Sequence, residues 1–315
     1  MAKTDPNPTV RERLVAAIGR LPAPVPVATP AIDRQLVVEG VRCERWRFRG
    51  PRDDILAWFL LADDAPRPVP AVLALHPHGR QYEVGKSLVA GLVGDPSRAY
   101  GLAAARAGFG VLAPDLPGFE DRRPPLAARK ANYALQGEAY ERLLAMHSLL
   151  QGSTLQGWIL SDLAACIDVL SAEPRVDGSR LGAFGHSFGG QEVLFSMLFD
   201  GRIRAGVCSC GFSLVRLLVE RSISHNLALY LPGMLPDLDF DAIVPALAPR
   251  PLFIAAGRRD AIWPVDGVAA VEVRARAAWE AAGAADRLHF HYSDGGHDLP
   301  AEVRAAALAW LKQVL

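Results

Sequence analysis

Ser187 lies in Gly185-His186-Ser187-Phe188-Gly189, a G-x-S-x-G pattern, between an apolar run at 180–184 that reads as a buried strand and a segment at 189–199 that reads as a helix. At such an elbow the serine is forced into a strained backbone conformation with its hydroxyl exposed. The glycines two residues away on either side leave room for the chain to pass. The same geometry aims the Phe188 N–H at the place where an oxyanion would form. A serine hydroxyl is a weak nucleophile at its own pKa, so an imidazole must take its proton and a carboxylate must orient that imidazole. Both lie downstream. Asp260 follows an expected strand at 251–256, and His297 ends the loop Ser293-Asp294-Gly295-Gly296-His297 beyond a further strand at 287–292. Asp294 is the alternative acid, being in the histidine loop. Asp260 is preferred because two glycines leave the direction of Asp294 unspecified. The order Ser, Asp, His is the one this elbow architecture uses.

A second oxyanion donor is expected after the early buried strand 71–75, where His76-Pro77-His78-Gly79-Arg80 makes a tight turn. Pro77 has no N–H, so His78 is favoured, with Arg80 as the alternative. His76 and His78 have no third ligand at metal spacing, and His289 and His291 alternate along one strand face, which is the pattern of packing. His186 points away from the cleft at an elbow and is expected to pack behind the nucleophile. Phe119, Trp158 and Trp263, with Phe188, are candidate substrate-binding residues that would narrow the acyl side of a cleft.

The elements needed to position these groups follow from the alternation of apolar runs and helical segments. Strands are expected at 41–48 and 55–61 as an antiparallel pair, then at 71–75, 110–113, 180–184, 205–208, 251–256 and 287–292. Helices are expected at 97–107, 157–170, 189–199, 267–282 and 300–311. This is an α/β fold, a mostly parallel central sheet with helices on both faces and inserted cap segments. Two long excursions, at about 116–156 and 211–249, break the alternation and are expected to wall an active-site cleft; the first is expected to hold a helix at 127–150. Residues 1–34 read as a short helix at 11–20 and a proline-rich arm at 21–30, and 35–315 as the catalytic domain.

Lys and Arg total 34 and Asp and Glu total 34 among 315 residues, so the net charge is zero and half the residues are hydrophobic. A nucleic-acid partner is not expected, because such proteins carry a basic excess or stripe. The arginines between Arg42 and Arg49 alternate with Cys43, Trp46 and Phe48, as on a half-buried strand. Cys43, Cys166, Cys208 and Cys210 form neither a disulfide framework nor a zinc set and read as reduced core thiols. The polar start, residues 1–10, is unlike a signal peptide, and no uninterrupted apolar run reaches membrane-spanning length, so a cytoplasmic location without membrane association is expected. A homo-oligomer is allowed. No cofactor or metal is called for.

With Ser187, Asp260 and His297 in place, the chain resembles the α/β-hydrolases. Gly152-Ser153-Thr154-Leu155-Gln156-Gly157, Arg175-Val176-Asp177-Gly178-Ser179-Arg180-Leu181, His225-Asn226, Tyr230-Leu231-Pro232-Gly233, Ala248-Pro249-Arg250-Pro251 and Asp260-Ala261-Ile262-Trp263-Pro264 narrow the resemblance. They are similar to motifs of the dienelactone-hydrolase-related and acetylxylan-esterase-like serine hydrolases, over roughly 36–315. The resemblance implies an ester hydrolase with a small-molecule ester substrate and short acyl groups. Dienelactone hydrolases proper use a cysteine nucleophile, so lactone-ring specificity is not implied where Ser187 stands. A peptidase or amidase, a lactone hydrolase, or a non-catalytic binding protein on the same scaffold are the alternatives.

Overall fold

In the computed structural model, which describes residues 9–315, nine strands form one sheet. They are β1 (Ala31–Val38), β2 (Val41–Arg49), β3 (Asp54–Ala62), β4 (Val69–Leu75), β5 (Gly110–Pro114), β6 (Val176–His186), β7 (Ile203–Ser209), β8 (Leu252–Gly257) and β9 (Leu288–Ser293). Most of the polar N-terminal stretch falls on residues 1–8, outside the described residues. The spatial order is β1-β2-β3-β5-β4-β6-β7-β8-β9. The β1-β2-β3-β5 pairs are antiparallel, and β5-β4-β6-β7-β8-β9 is parallel throughout. Every parallel strand therefore ends at the same sheet edge, where open α/β sheets place their ligands.

Strand periodicity divides the core in two. Ala71, Leu73, Ala183 and Ile254 join a cluster under the helices Val10–Ile18, Leu155–Ala172, Phe188–Phe199 and Val265–Ala281. Val72, Ala74, Phe184, Phe253 and Ala255 join the opposite one, under Tyr100–Arg106 and Ala301–Val314. Adjacent residues go to opposite faces because the side-chain period of a strand is two. This is why β4 and β8 read as unbroken apolar runs. Leu155–Ala172 is long and apolar enough to cross a membrane, but 78% of it is buried inside the protein, where it covers one face of the sheet.

Two local expectations change. The strand β1, Ala31–Val38, precedes the first expected strand at 41–48; it is an edge strand with most of its side chains on both faces exposed, so its sequence lacks an apolar run. The helix expected at 127–150 is broken into Leu126–Ala131, a 3₁₀ turn at Tyr133–Leu135 and Gly137–Leu150. The Asn132 side chain accepts the Ala134 N–H at 3.0 Å, a local bond that competes with helix propagation. In the restarted helix Glu141 is buried and borders the cleft described below. His289 and His291 do share a face, both stacked on Phe253.

Candidate active site

The turn between β6 and the helix Phe188–Phe199 puts Ser187 at φ 58°, ψ −122°, a strained conformation for a residue with a side chain. Its N–H donates to the Ser209 carbonyl at 2.8 Å, which fixes the elbow against β7. Glycine is required on both sides: a Cβ at Gly189 would collide with the Leu75 carbonyl, and one at Gly185 with the Gly189 backbone. The Ser187 turn is thereby pressed against the end of β4, the strand that leads to the His78 loop.

From the ends of β8 and β9 come the other two groups. His297 Nε2 lies 2.7 Å from Ser187 Oγ, and His297 Nδ1 lies 2.8 Å from Asp260 Oδ2. Asp260 Oδ1 accepts the N–H groups of Ile262 and Trp263 at 2.8 and 2.9 Å. Burial would raise the Asp260 pKa, but the bond and charge of His297 and these two N–H groups outweigh it and hold it below the usual carboxylate range. An ionised Asp260 puts the imidazole proton on Nδ1 and leaves Nε2 to accept from the serine. Asp294, the alternative acid, is 95% exposed in its side chain and lies 3.5 Å from Arg258 instead. His186 is buried behind the elbow, with Nδ1 3.0 Å from Ser209 Oγ, as a packing residue would be.

Both expected oxyanion-loop residues border the same cleft of about 530 Å³, together with Ser187, Phe188 and His297. The alternative, Arg80, has its N–H donated to His78 Nδ1 at 3.1 Å, so that N–H is engaged. Among the described residues no hydrogen bond occupies the N–H of His78 or of Phe188. His78 Nε2 is 2.8 Å from Glu141, whose carboxylate also accepts the Tyr82 hydroxyl at 2.6 Å and the Leu227 N–H at 3.0 Å. Phe188 and Trp263 line the cleft as expected, but Phe119 and Trp158 do not. Phe119 is buried behind the wall, stacked on Tyr82, and its ring meets the edge of His78. Trp158 lies on the core side of its helix, beneath Arg52 and Arg122, with guanidinium carbons 4.9 and 5.7 Å from its ring. Both sit at the borders of an excursion in sequence, yet the loops turn their rings inward, where large apolar area is best removed from water.

Further cleft residues escaped sequence reasoning. His225 stacks on Trp263 with ring centres 3.7 Å apart and bonds the Ile262 carbonyl through Nε2 at 2.9 Å. Burial lowers its pKa to about 4, so it is neutral near pH 7. Asn226 exchanges its amide with Gln191 (3.0 Å), which bonds Glu192, itself bonded to Gln156 in the helix before β6. The pair His225-Asn226 stood out as part of a family-like motif, without a role. Glu141 gave no signal: a glutamate in a helical segment reads as a solvated charge. Beneath the His78 loop, Asp115, Glu120 and Asp121 converge as a metal set might, but on Lys86 Nζ, at 2.7, 2.6 and 2.8 Å. Burial would lower the Lys86 pKa, yet the carboxylates raise it, and the ammonium supplies the charge that such a donor set requires. This knot fastens the turn after β5 to the turn after β4.

Residues 152–227, from the turn before the helix Leu155–Ala172 through the elbow, match the prolyl oligopeptidase family. Over nearly the whole chain, the Bacillus subtilis (strain 168) protein named "Putative hydrolase YtaP" is 29% identical, with 97% of this chain and 98% of the relative covered. A "putative acetyl xylan esterase" from Bacteroides fragilis NCTC 9343 superposes with a TM-score of 0.73 at 18% identity, covering 96% of this chain and 80% of that one. A glucuronoyl esterase from Solibacter usitatus superposes with a TM-score of 0.71 at 16% identity, covering 96% and 91%. The parallel sheet with its strained serine elbow after β6, and the Asp- and His-bearing loops after β8 and β9, together with these likenesses, establish that the chain has the α/β-hydrolase fold.

Proposed function

We propose that the chain is a serine hydrolase that cleaves carboxylic esters with short acyl groups, acting on a small-molecule ester. The observation that carries this reading is the unbroken chain Ser187 Oγ, His297 Nε2, His297 Nδ1, Asp260 Oδ2, at 2.7 and 2.8 Å, opening on the cleft. Ser187 Oγ attacks the ester carbonyl as His297 takes its proton. The Phe188 and His78 N–H groups hold the oxyanion, and Asp260 stabilises the imidazolium. His297 then returns the proton to the leaving alkoxide, which departs as the alcohol and leaves an acyl-Ser187. Water, deprotonated by His297, attacks the acyl carbon, and the serine leaves with the proton as the free acid forms.

The short-acyl preference rests on Phe188 and Trp263, two buried rings among those that border the cleft, since displacing buried rings costs roughly 1–3 kcal/mol. The esterase names of the solved neighbours support the same substrate class. A fluorophosphonate probe is expected to label wild type and not Ser187→Ala, and 4-nitrophenyl acetate to butyrate to exceed laurate and palmitate in kcat/KM. A rate that climbs with acyl length would reject the short-acyl assignment, and labelling of Ser187→Ala would reject the nucleophile. The match of 152–227 to the prolyl oligopeptidase family favours a second reading as a peptidase or amidase. Peptidyl amides turned over faster than esters of the same acyl group would decide for it.

A further inference from the structure

The two excursions and the oxyanion loop meet at one carboxylate. Glu141, on the helix Gly137–Leu150 of the first excursion, has a side chain only 5% exposed. Its Oε2 accepts from His78 Nε2 at 2.8 Å and from the Tyr82 hydroxyl at 2.6 Å, and its Oε1 accepts the Leu227 N–H of the second excursion at 3.0 Å. A buried carboxylate is stable only when such donors replace its lost water. Burial does press its pKa upward, but the bonds from His78, Tyr82 and Leu227 outweigh that and keep it below the ordinary glutamate range.

The imidazole that Glu141 holds is immobilised at both nitrogens. Because the Arg80 N–H donates to Nδ1, that atom carries a lone pair, and the ring proton sits on Nε2, donated to Glu141. The ring also stands edge-on to Phe188, with centres 5.7 Å apart and planes at 69°, and edge-on to Phe119 at 5.2 Å. The ring of the expected second donor residue, His78, thus packs against the ring of the first, Phe188.

We propose that Glu141 is a positioning residue for the reaction at Ser187: by clamping His78 it sets the spacing of the two oxyanion N–H groups, and it couples that spacing to the seating of both excursions over the cleft. The inference rests on the serine-hydrolase reading and on the assignment of His78 as second donor. An oxyanion donor removed outright costs on the order of 10²–10³ in kcat, and a donor left in place but displaced costs less, because the hydrogen bond is weakened and not abolished.

The test measures kcat, KM, melting temperature and fluorophosphonate labelling rate for Glu141→Ala, Glu141→Gln, His78→Ala and the double variant His78→Ala/Glu141→Gln. Glu141→Ala is expected to lower kcat about 30- to 100-fold with KM within about threefold, the labelling rate falling in step. Glu141→Gln, which keeps the shape and one acceptor oxygen, is expected to restore most of that activity, to within about tenfold of wild type. In the His78→Ala background the remaining effect of Glu141→Gln on kcat should shrink to less than twofold, which a general loosening of the fold would not produce. An undiminished effect in that background overturns the proposal, as does a rise in KM at constant kcat. If Glu141→Ala fails to fold, the Gln variant and the cycle decide alone. Failure of the functional reading looks different: wild type itself would neither label at Ser187 nor hydrolyse esters.

Discussion

Two histidines that border the cleft each hold a carboxylate, and they differ in what the second ring nitrogen meets. In His297–Asp260 the carboxylate takes Nδ1 and leaves Nε2 facing a serine hydroxyl. In His78–Glu141 the carboxylate takes Nε2, and Nδ1 is closed by a backbone N–H. The distances to carboxylate are the same, 2.8 Å in each. The first imidazole can therefore exchange a proton with the serine hydroxyl beside it, while both nitrogens of the second are already engaged, by Glu141 and by the Arg80 N–H. Proximity of an acid to a histidine does not make a base; an open nitrogen beside a reacting group does.

The same substitution at the two rings should separate them most sharply. His297→Gln is expected to lower kcat on the order of 10⁶-fold, as is Ser187→Ala, because triad members act as a unit. His78→Gln keeps a donor for Glu141 and should cost about tenfold or less in ester turnover. Equal losses at both positions would erase the distinction. Next in size, Asp260→Asn should lower kcat on the order of 10⁴-fold by disturbing the imidazole tautomer, and Asp294→Asn should cost less than twofold. If Asp294→Asn is the more damaging change, the acid is misassigned.

The smallest effect concerns acid stability, where the two pairs should behave alike. Asp260 and Glu141 are both held below their ordinary carboxylate pKa in the folded state, in each case against the opposing pull of burial. A lowered folded pKa contributes stability that is present above the unfolded values, about 3.9 for Asp and 4.3 for Glu, and lost as pH falls through the folded ones. Urea unfolding between pH 6 and pH 3 should show wild type losing stability more steeply than either Asp260→Asn or Glu141→Gln. Parallel slopes for wild type and Glu141→Gln would mean that the clamp does not hold an ionised carboxylate.

Much of the catalytic end of the molecule was legible in one dimension because its signals are local. The elbow needs glycines within two residues of Ser187, Asp260 follows closely on the apolar strand β8, and His297 on β9, whose apolar residues alternate with histidines. Strands β4 and β8 announce themselves as apolar runs because both of their faces are covered. The edge strand β1 does not, since most of its side chains are exposed. The break at Asn132 was hidden because it depends on one side chain bonding the backbone two residues on. Phe119 and Trp158 were misplaced for a related reason: proximity to an excursion in sequence does not say to which side a ring turns.

What the sequence by itself determined, then, is the α/β order of elements and the identity of the groups that could form a charge-handling triad, because strand periodicity and turn stereochemistry act over a few residues. What only the tertiary structure decided is which groups share a cleft. His78 and Tyr82 of one loop, Glu141 and Leu227 come from three separated stretches, and their bonds exist only after the sheet edge and both excursions have packed. A buried glutamate and an exposed one are the same letter in a helix. The desolvation and the hydrogen-bond donors that distinguish them are contributed by residues up to 86 positions away.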